Sequence, residues 1–261
     1  MKISIQVFLC IVSGGIVGLV LGLLGGGGSI LAVPLLLFVV GIKDPHVVIG
    51  TTALAVAINA CLNLILHARA GHVRWKSAIA FAIPGMIGAY LGSFAGKLVP
   101  GKQLLFLFAI LMIVMSVKMV IQKKMKNQKE DSEEHFKLLR VIVIAVLVGL
   151  LSGFFGIGGG FLIVPGLIFA ARMPMITAIG SSLLSVGMFG LTTAVNYSLS
   201  GFVDWWVVLE FVGGGIFGGM LGVWVVKRLS KQRQTLNYIF SGVVMTVAIY
   251  MLIINAEVLN L

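Results

Sequence analysis

The sequence predicts an all-α polytopic membrane protein built as two homologous halves, with 8 long transmembrane helices and 2 short helices set off by glycine breaks. Three observations predict it. Hydrophobic residues make up 59% of the 261 positions and charged residues 10%, against roughly 25% charged in a soluble domain. The charges fall between long uncharged runs. The chain also repeats itself at a nearly fixed offset. This composition excludes a soluble enzyme, a disordered chain and a nucleic-acid module. The net charge of +11 then belongs to short loops beside an anionic membrane leaflet.

The elements follow from the charges in order. Asp, Glu, Lys and Arg are absent from 3–42, 45–68, 77–96, 103–117, 141–171, 173–203, 211–226 and 234–256. A helix of about 20 apolar residues crosses a hydrocarbon core. The run 3–42 is too long for one span, and Gly25-Gly26-Gly27-Gly28 interrupts it, because consecutive glycines disfavour helix. The prediction is a helix at 4–24, a break, and a short helix at 29–41. Full helices follow at 47–68, 76–97 and 103–121. After a charged linker come a helix at 139–155, a break at 156–160 and a short helix at 161–171. Full helices at 175–199, 204–227 and 234–255 complete the chain. Cys10 and Cys61 lie in apolar runs without a CxxC pattern and read as small buried hydrophobes. The Met1-Lys2 start imitates a cleaved signal, but its segment recurs internally, which argues against cleavage.

Residues 17–36 read VGLVLGLLGGGGSILAVPLL and residues 148–167 read VGLLSGFFGIGGGFLIVPGL. Gly18/Gly149, Gly22/Gly153, Gly25/Gly156, Gly27/Gly158, Gly28/Gly159 and Pro34/Pro165 match at an offset of 131. At an offset of 130, Ile49-Gly50-Thr51-Thr52 faces Ile179-Gly180-Ser181-Ser182, Trp75 faces Trp205, and Lys97 faces Lys227. The expected organisation is a first membrane repeat at 1–121, a charged cytoplasmic linker at 122–138, and a second repeat at 139–261. Repeats of this kind are common in transporters, whose sites lie between them.

Two topologies fit. If the short helices re-enter, the repeats are parallel and Lys plus Arg divide 11 to 8 between the two sides. If they cross, the repeats are inverted and the division is 15 to 4. The positive-inside rule favours the inverted arrangement with the linker inside.

Candidate site residues come from the breaks and from polar groups in apolar helices. A helix beginning after a break offers free N–H groups and the positive end of its dipole, which suits an anion. No Lys or Arg occupies a helix centre, so backbone and hydroxyl donors are the economical way to hold one. The breaks give Gly26, Gly27, Gly28 and Ser29 in the first repeat, and Gly158, Gly159 and Gly160 in the second. Thr51, Thr52, Ser181 and Ser182 add hydroxyls at matched helix starts. Asn59 and Asn63 share one face with His67, against Phe189, Thr193 and Tyr197, with Asn196 beside them, in the second repeat. These polar groups read either as interhelical glue or as pathway lining. Gly14, Gly18 and Gly22, like Gly88, Gly92, Gly96 and Gly214, Gly218, Gly222, form small-residue packing ridges. Glu210 is the single acidic residue well inside an apolar run.

The paired GxxxGLLGGGGSxLxVP and GLxSGFFGIGGGFLxVP segments, each followed by IG[TS][TS], resemble the sulfite exporter TauE/SafE family across about residues 5–255. The first copy departs at Gly26, where the second has Ile157, and at Ser29, where it has Gly160. The resemblance implies a multi-pass inner-membrane transporter of small anions such as sulfite or organosulfur compounds. No Walker A segment GxxxxGK[ST] occurs in the chain. The expected function is secondary transport or export of a small anion by alternating access between the two repeats. Its partners are the anion and the lipid bilayer, with no enzyme activity, cofactor, metal or nucleic acid expected. The competing reading is a membrane scaffold or assembly factor without transport. The sequence leaves the substrate, direction, coupling ion and oligomeric state open.

Overall fold

The computed structural model describes residues 2–121, 138–156, 160–228 and 233–255. Its elements are α1 (Lys2–Leu24), a 3-10 segment (Gly25–Leu31), α2 (Ala32–Pro34), a π segment (Leu35–Val40), α3 (Pro45–Arg69), α4 (Trp75–Leu98) and α5 (Gly101–Ile121). Then follow α6 (Leu138–Phe155), α7 (Gly160–Ala171), α8 (Met175–Ser198), α9 (Trp205–Arg228) and α10 (Arg233–Ile254). Among the described residues there is no strand, and 7 helical stretches are long and apolar enough to cross a membrane. Broad outward faces carry large apolar side chains, Ile83, Phe94, Leu199 and Phe217 among them. Such a surface suits lipid, not water.

Local chemistry sets the helix ends. Asp44 caps α3, its Oδ1 accepting from the N–H of His46 at 2.8 Å and of Val47 at 3.5 Å. Pro45 takes the first helical position, where a donor is not needed. Asp204 caps α9 in the same way, accepting from Trp206 at 3.1 Å and Val207 at 3.2 Å. The turns after α3 and α8 match as well. Gly71 and Gly201 adopt φ of 73° and 76°, and the N–H groups of His72 and Phe202 return to the carbonyls of His67 and Tyr197 at 3.0 Å each.

The first short helix differs from its expected form. Instead of one α-helix over 29–41, residues 25–40 wind through 3-10, α and π geometry in turn. Four glycines supply no side chain to enforce one winding, and Pro34 lacks the N–H that would bond the carbonyl one turn earlier. The segment α7, with side chains from Phe161 onward, keeps α geometry despite Pro165.

Helix directions follow from close backbone approaches. Gly14 lies against Phe211, Gly18 against Gly215 and Gly22 against Gly219; the constant offset makes α1 and α9 parallel. Gly88 lies against Val146, Gly92 against Leu150 and Gly96 against Phe154, so α4 and α6 are parallel. Asn59 and Asn63 meet Gly215 and Gly219, so α3 runs with α9. Gly50 meets Tyr197, while Gly190 meets Ala53 and Ala57, and Gly187 meets Cys61, so α3 and α8 are antiparallel. Thus α1, α3 and α9 point one way, and α4, α6 and α8 the other. The carbonyl of Gly22 lies 3.3 Å from His67 Nε2, so the end of α1 is level with the end of α3. Residues 25–44 must therefore travel back along α3.

The strongest seams, α1 with α9 and α4 with α6, each join one helix from before the linker to one from after it. The pair α5 and α10 does likewise, through reciprocal hydrogen bonds of Ser116 and Ser241 at 2.7–2.8 Å.

Candidate functional site

The two glycine breaks meet in the interior. The backbones of Gly26 and Gly160 are in direct contact, so a Cβ on either would overlap main-chain atoms of the other. Gly25 and Gly156 both adopt φ of 65°, a left-handed conformation that costs a side-chain-bearing residue about 1 kcal/mol or more. Gly25 packs on Ile179 and Gly156 on Ile49, so each break rests on the other helix's Ile-Gly-(Thr/Ser)-(Thr/Ser) start. Gly158 and Gly159 lie outside the described residues.

The predicted donors are largely committed to holding this crossing. The N–H of Gly26 donates to Ser182 Oγ at 3.3 Å, and Ser29 Oγ donates to the Gly26 carbonyl at 2.9 Å. Gly28 packs back on Val20 and Leu21 of α1, and Gly27 sits beside Leu24. Ser182 donates in turn to the Ile179 carbonyl at 2.7 Å. Thr52 donates to the carbonyls of Val48 at 2.8 Å and Ile49 at 3.0 Å, the back-bonding common for hydroxyls in helices. Thr51 Oγ1 accepts from the N–H of Asp204, and Ser181 Oγ from the N–H of Arg74, both at 3.0 Å. These two bonds are made at matched sequence positions, Thr51 matching Ser181 and Asp204 matching Arg74, and each ties a helix start to a loop in the other half of the chain.

Asn196 is also engaged. It donates to Ser93 Oγ at 2.7 Å. Lys97 Nζ donates to the Asn196 carbonyl at 3.1 Å, to Asn196 Oδ1 at 2.8 Å and to Ser200 Oγ at 2.9 Å. Lys97 thus ties the end of α4 to the end of α8 and offsets the negative end of that helix dipole. The Lys97/Lys227 identity in the repeat was the only sequence signal for it.

Asn59 and Asn63 stand apart. Asn59 is fully buried with neither amide atom bonded, and Asn63 Oδ1 is likewise unbonded. A buried polar atom without a partner costs about 1–3 kcal/mol. Other buried, unbonded hydroxyls are those of Ser13, Ser152, Ser185, Thr193 and Tyr197. Sequence gave no reason to single out Ser13, Ser152 or Ser185. Glu210 faces the buried Cys10 thiol across the α1–α9 seam. Among the described residues no group of His, Cys, Asp and Glu is disposed to hold a metal.

The crossing itself makes a measurable claim. Ser182→Ala removes the acceptor of the Gly26 N–H and is expected to lower stability by about 1 kcal/mol. Thermal melting of the detergent-solubilised chain checks this; an unchanged midpoint would mean that Gly26 finds another acceptor.

Opposed helices, interior glycine breaks and a lipid-suited exterior define a polytopic all-α membrane protein of the transporter class. The family model described as "Sulfite exporter TauE/SafE" matches residues 10–251, and the chain belongs to that family of membrane transporters. A "Probable membrane transporter protein" of Xylella fastidiosa (strain Temecula1 / ATCC 700964) is 53% identical over 244 residues, covering 92% of each chain. The "Probable membrane transporter protein YunE" of Bacillus subtilis (strain 168) is 28% identical over 272 residues, covering 96% of each. A probable membrane transporter of Methanocaldococcus jannaschii is 28% identical over 262 residues, covering 94% of this chain and 95% of its own. No solved structure matches.

Proposed function

We propose that this protein is a secondary transporter that exports a small oxidised-sulfur anion, sulfite or a related compound, across the bacterial-type inner membrane. The observation that carries this reading is the contact of two glycine breaks between oppositely directed helix sets, within a member of a family described by sulfite export. Interior breaks at a repeat interface are where transporters place substrate. The inverted arrangement puts 15 of the 19 Lys and Arg on one side, with the linker, which supports a cytoplasmic linker and five traverses per repeat.

Alternating access here takes a modified form. The two sequence repeats are not separate bodies, because α1 is locked to α9 and α4 to α6 by backbone contact. Rocking one repeat against the other would break both seams. The moving units are therefore the composite pairs, sliding against the central α3–α8 pair.

The test is flux in proteoliposomes reconstituted with the full chain. Saturable movement of sulfite down its gradient is expected, weaker for thiosulfate and sulfate. No flux for sulfite, sulfoacetate, thiosulfate or sulfate would overturn the substrate assignment. Absent flux with retained co-purification of a membrane partner would favour the scaffold reading.

A further inference from the structure

Among the predicted site residues, Asn59 and Asn63 keep free hydrogen-bonding capacity in a fully buried place. Asn63 donates Nδ2 to the Asn59 carbonyl at 2.9 Å, which fixes its amide and leaves Oδ1 as an open acceptor. Asn59, in either amide orientation, offers one open donor group and one open acceptor. Both side chains are aimed at α9. The Asn59 amide lies flat on Gly215, and a Cβ on Gly219 would come within 2.7 Å of Asn63 Nδ2 and 2.8 Å of its Oδ1.

The other repeat shows that packing does not require the Asn59 amide. At the position of Asn59 it has Phe189, which rests on Gly85 as Asn59 rests on Gly215. Phe189 is fully buried and stacks on Phe81 with ring centroids 6.4 Å apart. The place of Asn59 is thus filled by a stacked apolar ring in one repeat and by an unsatisfied amide in the other, while the place of Asn63 is held by Thr193, a smaller polar group whose hydroxyl is also unbonded. A buried polar group with no partner in the protein calls for one from outside the chain.

The chemistry of the open atoms selects that partner. At least two acceptors and one donor group are available, and 45–68 and 211–226 contain no Lys or Arg. A dianion would be buried without a compensating charge. A ligand bearing only acceptor oxygens would leave the amide carbonyls facing lone pairs. A monoanion that carries its own O–H satisfies both kinds of group.

We infer that Asn59 and Asn63 form the recognition seat for the protonated monoanion of a small oxyacid, of the hydrogen-sulfite type. The seat is closed here by Gly215 and Gly219, and it opens as α1 and α9 move together off α3. This inference rests on the transport reading above and specifies its substrate form.

The test uses the full chain in proteoliposomes, with sulfite across its second ionisation, which lies near neutrality. At fixed, subsaturating total sulfite and equal pH on both sides, the initial rate is expected to fall about tenfold per pH unit above that ionisation, as the monoanion fraction does. Methanesulfonate, which has no donor, should not compete. Asn59→Phe copies the other repeat's seat; it should elute and melt as the wild type does, yet lose roughly a hundredfold or more of the flux. Asn63→Leu, which keeps the branched shape and removes both the acceptor and the donor, gives the same readout if the Phe variant misfolds, and Asn59→Gln should restore part of the rate. Wild-type flux in a folded Asn59→Phe or Asn63→Leu protein, or equal competition by methanesulfonate, would overturn the seat. If the wild type moves no anion at any pH, the transport reading itself fails, which is a different result from a seat variant that transports normally.

Discussion

Gly160→Ala is expected to destabilise the protein by about 3 kcal/mol or more, enough to prevent accumulation of folded chain. The new Cβ would fall on the main chain of Gly26, and main-chain atoms cannot rotate aside as a side chain can. Moving Gly26 would also stretch its bond to Ser182, and through it the start of α8. The effect should not depend on side-chain chemistry, so Gly160→Ser should be as harmful as Gly160→Ala. Gly213 is the control, since a Cβ there meets nothing within 4 Å; Gly213→Ala should melt as the wild type does, or slightly higher. Detergent melting and monodisperse yield of the three variants measure this. A Gly160→Ala protein as stable as Gly213→Ala would show that the two breaks do not touch in the folded protein.

Much of the helix plan was legible because charge and glycine punctuate the sequence. The expected 76–97 became Trp75–Leu98, and 204–227 became Trp205–Arg228. The winding of 25–40 was not legible, since a glycine-rich stretch before a proline offers several backbone solutions of similar energy. The site was legible as a set of polar positions but not as a set of bonds. Thr51 and Ser181 look like donors to a ligand when read along their own helices. Their partners are backbone N–H groups at Asp204 and Arg74, 153 and 107 residues away, which no local pattern announces. Asn59 shows the converse. Its place opposite Phe189 was visible from the repeat, but the lack of any partner became visible only once the neighbours were placed.

The interlocked seams lead to the second large effect. Residues 1–121 expressed alone should fail to accumulate as a folded unit, although they contain α1 to α5 complete. Without α9, the ridge of Gly14, Gly18 and Gly22 loses the backbone it packs on, and without α6 the ridge of Gly88, Gly92 and Gly96 loses its own. Small-residue ridges gain their stability from close approach of a partner helix, and lipid tails cannot follow them that closely. The polar groups that cross the two fragments would suffer too, because Thr51 would lose Asp204, and Lys97 would lose Asn196 and Ser200. Co-expression with residues 132–261 should restore a stable, co-purifying complex, because the contacts that matter run between the fragments and the cut falls between α5 and α6. Yields of the first fragment alone, the second alone and the pair decide the matter. A first fragment that is monomeric, monodisperse and as heat-resistant as the pair would mean that each repeat is its own folding body. That result would remove the reason to assign transport motion to the α1–α9 and α4–α6 pairs, and would return it to one repeat rocking against the other.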